Sequence, residues 1–94
     1  MKQSRKEHYK RRMTRIRNYN TELVRSLKEQ RCPDCGIEYP HYVMDFDHVV
    51  GSKVTNIGKM MLHKGTNRLI DEIVKCEVVC SNCHRIREWK RRNT

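Results

Sequence analysis

The stretch Lys75-Cys76-Glu77-Val78-Val79-Cys80-Ser81-Asn82-Cys83-His84-Arg85-Ile86-Arg87 decides how the 94-residue chain is read. It runs from a short β-branched segment, through a C-x-x-C knuckle, into a basic helical pattern that starts beside a histidine. Another knuckle, Cys32-Pro33-Asp34-Cys35, lies upstream, with 44 residues between the two. Each knuckle brings two thiolates to one point from a single turn, and two knuckles complete a closed tetrahedral Zn²⁺ site with arms of about 2.3 Å. The interval exceeds the ~15–20 residues of the common zinc pattern, so a sizeable insertion leaves and returns between the knuckles. The competing readings are a redox dithiol in the first pair or unconnected buried cysteines, but a redox motif accounts for only one pair. Four thiolates leave zinc no open position for a substrate, which makes the ion structural. Cys76 is left over and reads as a small buried hydrophobe.

Such a staple is what the composition calls for. Only 36% of the residues are hydrophobic against 34% charged, with one Trp and one Phe, and at this size burial alone supplies roughly 3–5 kcal/mol. One domain is the most the length allows. The net charge of +10 is unevenly spread: residues 1–31 carry 11 basic and 3 acidic side chains, residues 32–84 carry 5 and 7, and residues 85–94 carry 5 and 1. The middle is slightly acidic and both ends are strongly basic. With no run of 18 apolar residues and no apolar stretch behind the basic N-terminus, neither a membrane span nor a signal peptide is expected. A cytoplasmic location follows as the expectation, and free cysteines in a reducing compartment read as metal ligands.

Upstream, Tyr9, Met13, Ile16, Asn20, Leu23 and Leu27 recur at spacings of 4, 3, 4, 3 and 4, a helical stripe in a basic setting. Ser4 and Glu7 have capping-box spacing, Cys32-Pro33 is a natural stop, and Asn18-Tyr19-Asn20-Thr21 has weak enough propensity to split the segment in two. The stripe is expected to pack on its own domain; a dimer seam is the alternative, and a monomer is expected. Between the knuckles, residues 38–50 alternate as a strand, with Tyr42, Met44 and Phe46 on one side and Val43, Asp45 and Asp47 on the other. Residues 54–75 fit two short helices, one with Ile57, Met60 and Met61, the next with Leu69, Ile70, Ile73 and Val74, and Thr66 as a plausible cap. Residues 77–79 suggest a further strand. Residues 81–92 suggest a final helix with Ile86 and Trp89 inward.

Within the zinc-closed loop lies Met44-Asp45-Phe46-Asp47-His48, and the later knuckle runs straight into His84. His84 and Glu88 are i, i+4 on one helix face, so both can reach one ion, and Asp47 offers a hard oxygen ligand. His48 is a base whose ordinary pKa near 6.5 suits deprotonating water at neutral pH. An open nitrogen and oxygen site between basic segments describes metal-assisted chemistry on a phosphodiester. In a regular strand Asp47 and His48 point to opposite faces, so the strand is expected to end or bulge there.

The order Asp47-His48, then Cys80-x-x-Cys83-His84, inside paired C-x-x-C knuckles, resembles the HNH endonucleases of the ββα-metal (His-Me finger) group, in particular the small zinc-containing HNH proteins of phages and bacteria. The resemblance runs from about Cys32 to Arg87. It implies an α+β fold: a zinc-stapled ββα-metal domain over residues 32–94, with residues 1–31 as an added basic helix. His48 would be the general base that activates water. Asp47, His84 and, four residues further on, Glu88 would hold one divalent cation, Mg²⁺ or a transition metal such as Mn²⁺ or Ni²⁺, against the scissile phosphate. Gly51 stands where many members have Pro. Lys75 stands where the family's Asn braces the loop between the strands, so either another group such as Asn67 does that work or the site is less rigid. Asn82 reads as a turn residue.

Arg11, Arg12, Arg15 and Arg17 on the first helix and Arg85, Arg87, Lys90, Arg91 and Arg92 on the last form the expected phosphate-contacting surface. No recognition-helix motif or stacking platform suggests base readout, so DNA binding of low sequence specificity is expected. The alternative is a zinc-stapled nucleic-acid-binding module with a degenerate nuclease centre.

Overall fold

The computed structural model describes residues 4–94. It is a small mixed α/β unit of four helices and a two-stranded sheet: α1 (Arg5–Lys28), a 3₁₀ turn (His41–Val43), β1 (Met44–His48), α2 (Ile57–His63), α3 (Thr66–Ile73), β2 (Cys76–Cys80) and α4 (Ser81–Arg92). No helix among the described residues is long and apolar enough to cross a membrane.

α1 starts where the Ser4-Glu7 pattern predicts, with the Ser4 hydroxyl accepting a hydrogen bond from the Glu7 amide at 3.2 Å. It does not divide at Asn18-Tyr19-Asn20-Thr21. The reason is tertiary. Asn20 is fully buried, and its amide donates to the carbonyls of Met61 at 3.3 Å and Lys64 at 3.1 Å, while its Oδ1 accepts from the Thr66 hydroxyl at 2.7 Å. One side chain thus satisfies carbonyls at the end of α2, where a helix leaves acceptors without partners, and ties the start of α3 to them. Thr66 therefore opens α3 behind an N-cap at Gly65 and does not cap it. The second half of α1 packs through Val24, Leu23 and Leu27, whereas Tyr9 and Tyr19 stay exposed.

The strands pair antiparallel in register, from Met44 opposite Cys80 to His48 opposite Cys76. Of the two outcomes expected at Asp47-His48, the strand ends there and does not bulge: pairing is regular to His48 and the turn follows. There the Val49 and Val50 amides both donate to the Lys75 carbonyl, at 2.9 and 3.2 Å, and Gly51 turns the chain at φ 68°. Pleating then sends Asp45 and Asp47 toward α4 and His48 toward α3.

Two small cores result. Cys32, Met44, Val79, Cys80 and Cys83 form one, with Tyr39, Val43 and Val78 against it. Val24, Ile57, Met60 and Leu69 form the other, joined by Phe46, Ile73 and Cys76. Two expected apolar faces are corrected. On α3, Ile70 and Val74 are exposed, while Glu72 is buried beside Leu69. On α4, Ile86 and Trp89 are 53% and 62% exposed, because the helix turns its basic and histidine face to the sheet. Three carboxylates wait there, Asp45, Asp47 and Glu77, with Asp34 of the first knuckle beside them, and ionic partners outcompete two apolar residues.

Helix propensity alone says that Asn20→Ala stabilises α1 by roughly 0.5–0.7 kcal/mol. Loss of the three buried hydrogen bonds reverses the sign, and a net destabilisation of about 2–3 kcal/mol is expected. Urea unfolding measures it; an unchanged or raised midpoint contradicts the bridging role.

Candidate metal centres and the histidine cleft

Cys32, Cys35, Cys80 and Cys83 converge, with all four sulfurs within 4.8 Å of one another. The sulfurs of Cys35 and Cys80 are 3.9 Å apart, close to the edge of about 3.8 Å of a tetrahedron with 2.3 Å arms. Backbone amides point into the cluster: the Cys80 N–H donates to Cys32 Sγ and the Cys83 N–H to Cys80 Sγ, both at 3.4 Å. Burial resists ionisation of Cys32, but N–H donors from Cys80, Cys35 and Asp34 bring its thiol down to about 6. Cys83 is pushed up to about 12, by burial and then by its neighbouring thiols. Four sulfurs with this spread cannot all be thiolates without a cation, so the donor set fits structural zinc. Cys76 lies apart in the helical core, its thiol raised to about 11 by burial, and behaves as the hydrophobe the sequence suggests.

The knuckle delivers His84 to the sheet. Its Nδ1 lies 3.1 Å from Asp45 Oδ2, and its Nε2 lies 3.4 Å from Glu88 Oε1 and 3.6 Å from Asp47 Oδ1. Of the expected ligands, the carboxylates of Asp47 and Glu88 each approach His84 at this one ring nitrogen. Among the described residues, however, only the cysteines converge within 4.8 Å as a set. Asp47 is buried, and two guanidiniums hold it: Arg91 donates to both its oxygens at 2.8 and 2.7 Å, and Arg87 to Oδ2 at 2.9 Å. The Arg91 contact, aided by Arg87 and opposed by burial, keeps its carboxyl at about 2.

Arg87 also binds Asp34 through two hydrogen bonds, at 2.6 and 2.7 Å, and reaches Glu77 at 3.3 Å. Arg87 and Arg91, expected on phosphate, thus tie α4 to the sheet and the first knuckle. Arg17 donates to the Leu62 carbonyl at 2.9 Å. Arg12, Arg15, Arg85, Lys90 and Arg92 are exposed, as is the Arg11 position.

His48 lies on the other face. Its Nε2 is 2.8 Å from Glu72 Oε2, and Glu72 also accepts from the Val54 amide at 3.1 Å and from Lys75 Nζ at 2.9 Å. Lys75, in turn, donates to the Ser52 carbonyl at 2.8 Å. With its own carbonyl on Val49 and Val50, Lys75 holds the loop after His48 from two sides; Asn67 makes no such contact and sits exposed on α3. His48, Asp45 and His84 line one cleft of about 340 Å³, with Lys28 and Lys53 at its wall. A larger cleft of about 590 Å³ between α2 and α3 is lined by Val54 and Met60, by Lys59, Lys64, Arg68 and Lys75, and by the carboxylates Asp71 and Glu72.

Two carboxylates that contact the histidines, Asp45 and Glu72, are missing from the candidate residues drawn from the sequence. Asp45 is signalled by the Asp-x-Asp alternation that puts it on Asp47's face. Glu72 is hidden inside an apolar helix pattern, and only the fold shows it reaching His48.

Comparison of the chain with protein-family models, with curated proteins and with solved structures finds no match.

Removing the metal, or replacing Cys83 by Ala, is expected to abolish the cooperative thermal transition seen by far-ultraviolet circular dichroism, with one zinc bound per folded chain. A melt unchanged from wild type rules out the four-sulfur site as a structural element.

Proposed function

We propose that this protein is a metal-dependent HNH-type endonuclease that hydrolyses DNA phosphodiester bonds, with His48 as general base and a divalent cation at His84. The observation that carries the reading is the setting of His84. Asp45 Oδ2 stands at Nδ1, where it can accept a hydrogen bond from the ring N–H, and Nε2 faces Asp47 and Glu88; a carboxylate behind the ring is the usual second partner of a metal-ligating histidine. A strand, strand and helix frame around a four-cysteine cluster agrees with the resemblance in its motifs. The Lys75 contacts support a braced loop at the position where the family's Asn stands.

A bound Mg²⁺, Mn²⁺ or Ni²⁺ supplies Lewis-acid stabilisation of charge on the phosphoryl and departing 3′ oxygens. Asp47, His84 and Glu88 are the residues that would hold it, and Asp47 would exchange contacts with Arg91, half exposed at the end of α4, and Arg87 for the ion. His48 takes a proton from water at a ring nitrogen as the water oxygen bonds to phosphorus and the bond to the 3′ oxygen breaks. Lys28 and Lys53, at the cleft wall, neutralise the strand. Exposed Arg12, Arg15, Arg85 and Lys90, with Lys59, Lys64 and Arg68 around the cleft between α2 and α3, give DNA a broad phosphate-contacting surface without base readout.

The hold of Arg87 and Arg91 on Asp47 favours one other reading, a zinc-tied nucleic-acid-binding module in which these guanidiniums close the cation site for good. Relaxation of supercoiled plasmid separates the two. Zinc-loaded protein is expected to nick with added Mg²⁺ or Mn²⁺ and not without it. His48→Ala should slow nicking on the order of 10²–10⁴-fold while DNA affinity stays unchanged. Equal nicking by both proteins removes His48 as the base, and binding without nicking by the wild type selects the module.

A further inference from the structure

We propose that Glu72 is the positioning residue of His48, fixing the imidazole as its Nε2–H form so that Nδ1 is the atom that accepts the proton from water. The proposal takes its catalytic sense from the nuclease reading, but its geometry stands independently.

Glu72 is 1% exposed, and a carboxylate so placed persists only with donors around it. Lys75 Nζ and the Val54 amide supply two. The Lys75 contact, with Val54 and His48 behind it and burial opposed, holds the Glu72 carboxyl below its ordinary range. An ionised carboxylate accepts and cannot donate. The 2.8 Å contact from His48 Nε2 to Glu72 Oε2 is therefore an N–H···O bond with the proton on Nε2. In the neutral ring the lone pair then belongs to Nδ1. His48 Nδ1 makes no hydrogen bond among the described residues, and no buried side-chain nitrogen or oxygen there lacks a partner, so Nδ1 reaches solvent. The ring lines the cleft shared with Asp45, Lys53 and His84.

A carboxylate also stands behind the neighbouring histidine, with the nitrogens exchanged: Asp45 meets His84 at Nδ1 and leaves Nε2 toward Asp47 and Glu88, while Glu72 holds His48 at Nε2 and leaves Nδ1 open. Lys75 connects this to the loop, since one ammonium bridges Glu72 and the Ser52 carbonyl. Orientation of the base and closure of the loop after it thus depend on one buried ion pair.

The test uses the full-length, zinc-containing protein with ¹⁵N-labelled histidine. Long-range ¹H–¹⁵N spectra of the wild type should show neutral His48 protonated at Nε2, with a slowly exchanging, hydrogen-bonded proton. A bare Nε2 overturns the proposal. Glu72→Gln should lose the slow exchange and lower kcat for plasmid nicking on the order of 10–100-fold, with KM for plasmid and zinc content unchanged. If Gln at this position prevents folding, Glu72→Met combined with Lys75→Met removes both charges of the buried pair and replaces them with apolar side chains. A folded double variant that nicks at the wild-type rate shows Glu72 to be structural only. If the wild type does not nick at all, the nuclease reading fails, and the imidazole spectrum still decides the role of Glu72.

Discussion

Four sulfur atoms set the geometry on which everything else depends. Cys32 and Cys35 precede β1; Cys80 ends β2, pairs with Met44 at the start of β1 and caps α4; Cys83 lies in the first turn of that helix. Gathering them therefore fixes both strands and the axis of α4 at one point. His84, the next residue, is placed by this constraint at 3.1 Å from Asp45. Nine hydrophobic residues are buried among the described ones, and three are cysteines of this cluster, so little else is available to hold the frame.

Charges supply the second level of organisation. The segment between the knuckles has more acidic than basic residues, and most of its carboxylates, with Asp34 of the first knuckle, are paired with cations or histidines. Asp34, Asp47 and Glu77 meet Arg87, Asp47 also meets Arg91, Asp45 meets His84, and Glu72 meets Lys75 and His48. Of these only Asp47 and Glu72 are buried, and Lys59, Lys64 and Arg68 face solvent beside them. Buried ion pairs contribute little net stability, because desolvation offsets attraction. Their consequence here is orientation: His48 is held at Nε2 by Glu72, and His84 at Nδ1 by Asp45 with Nε2 toward Asp47 and Glu88.

Local and periodic signals were legible in the sequence. Two C-x-x-C knuckles announced the sulfur cluster, Ser4 and Glu7 the start of α1, and Asp-x-Asp the shared face of Asp45 and Asp47. What sequence periodicity missed was decided by pairing across long separations. Asn20 counts as a weak helix former until the ends of α2 and α3 are seen against it. Ile86 and Trp89 count as an inner face until the strand carboxylates draw His84, Arg87 and Arg91 inward. Lys75 looks like the loss of a bracing residue, yet its ammonium and its carbonyl hold the loop after His48. Glu72 carries no local mark of function, because the histidine it orients is 24 residues away.

The account requires two kinds of metal position, one closed by sulfur and one open beside His84. Anomalous diffraction from a single zinc-containing crystal soaked in Mn²⁺, recorded at both metal edges, tests this directly. Zinc density is predicted at the centre of the four sulfurs, and manganese density beside His84 Nε2 between Asp47 and Glu88, with Arg91 turned away from Asp47. A crystal in which Arg91 keeps Asp47 and no manganese binds at His84 contradicts the account.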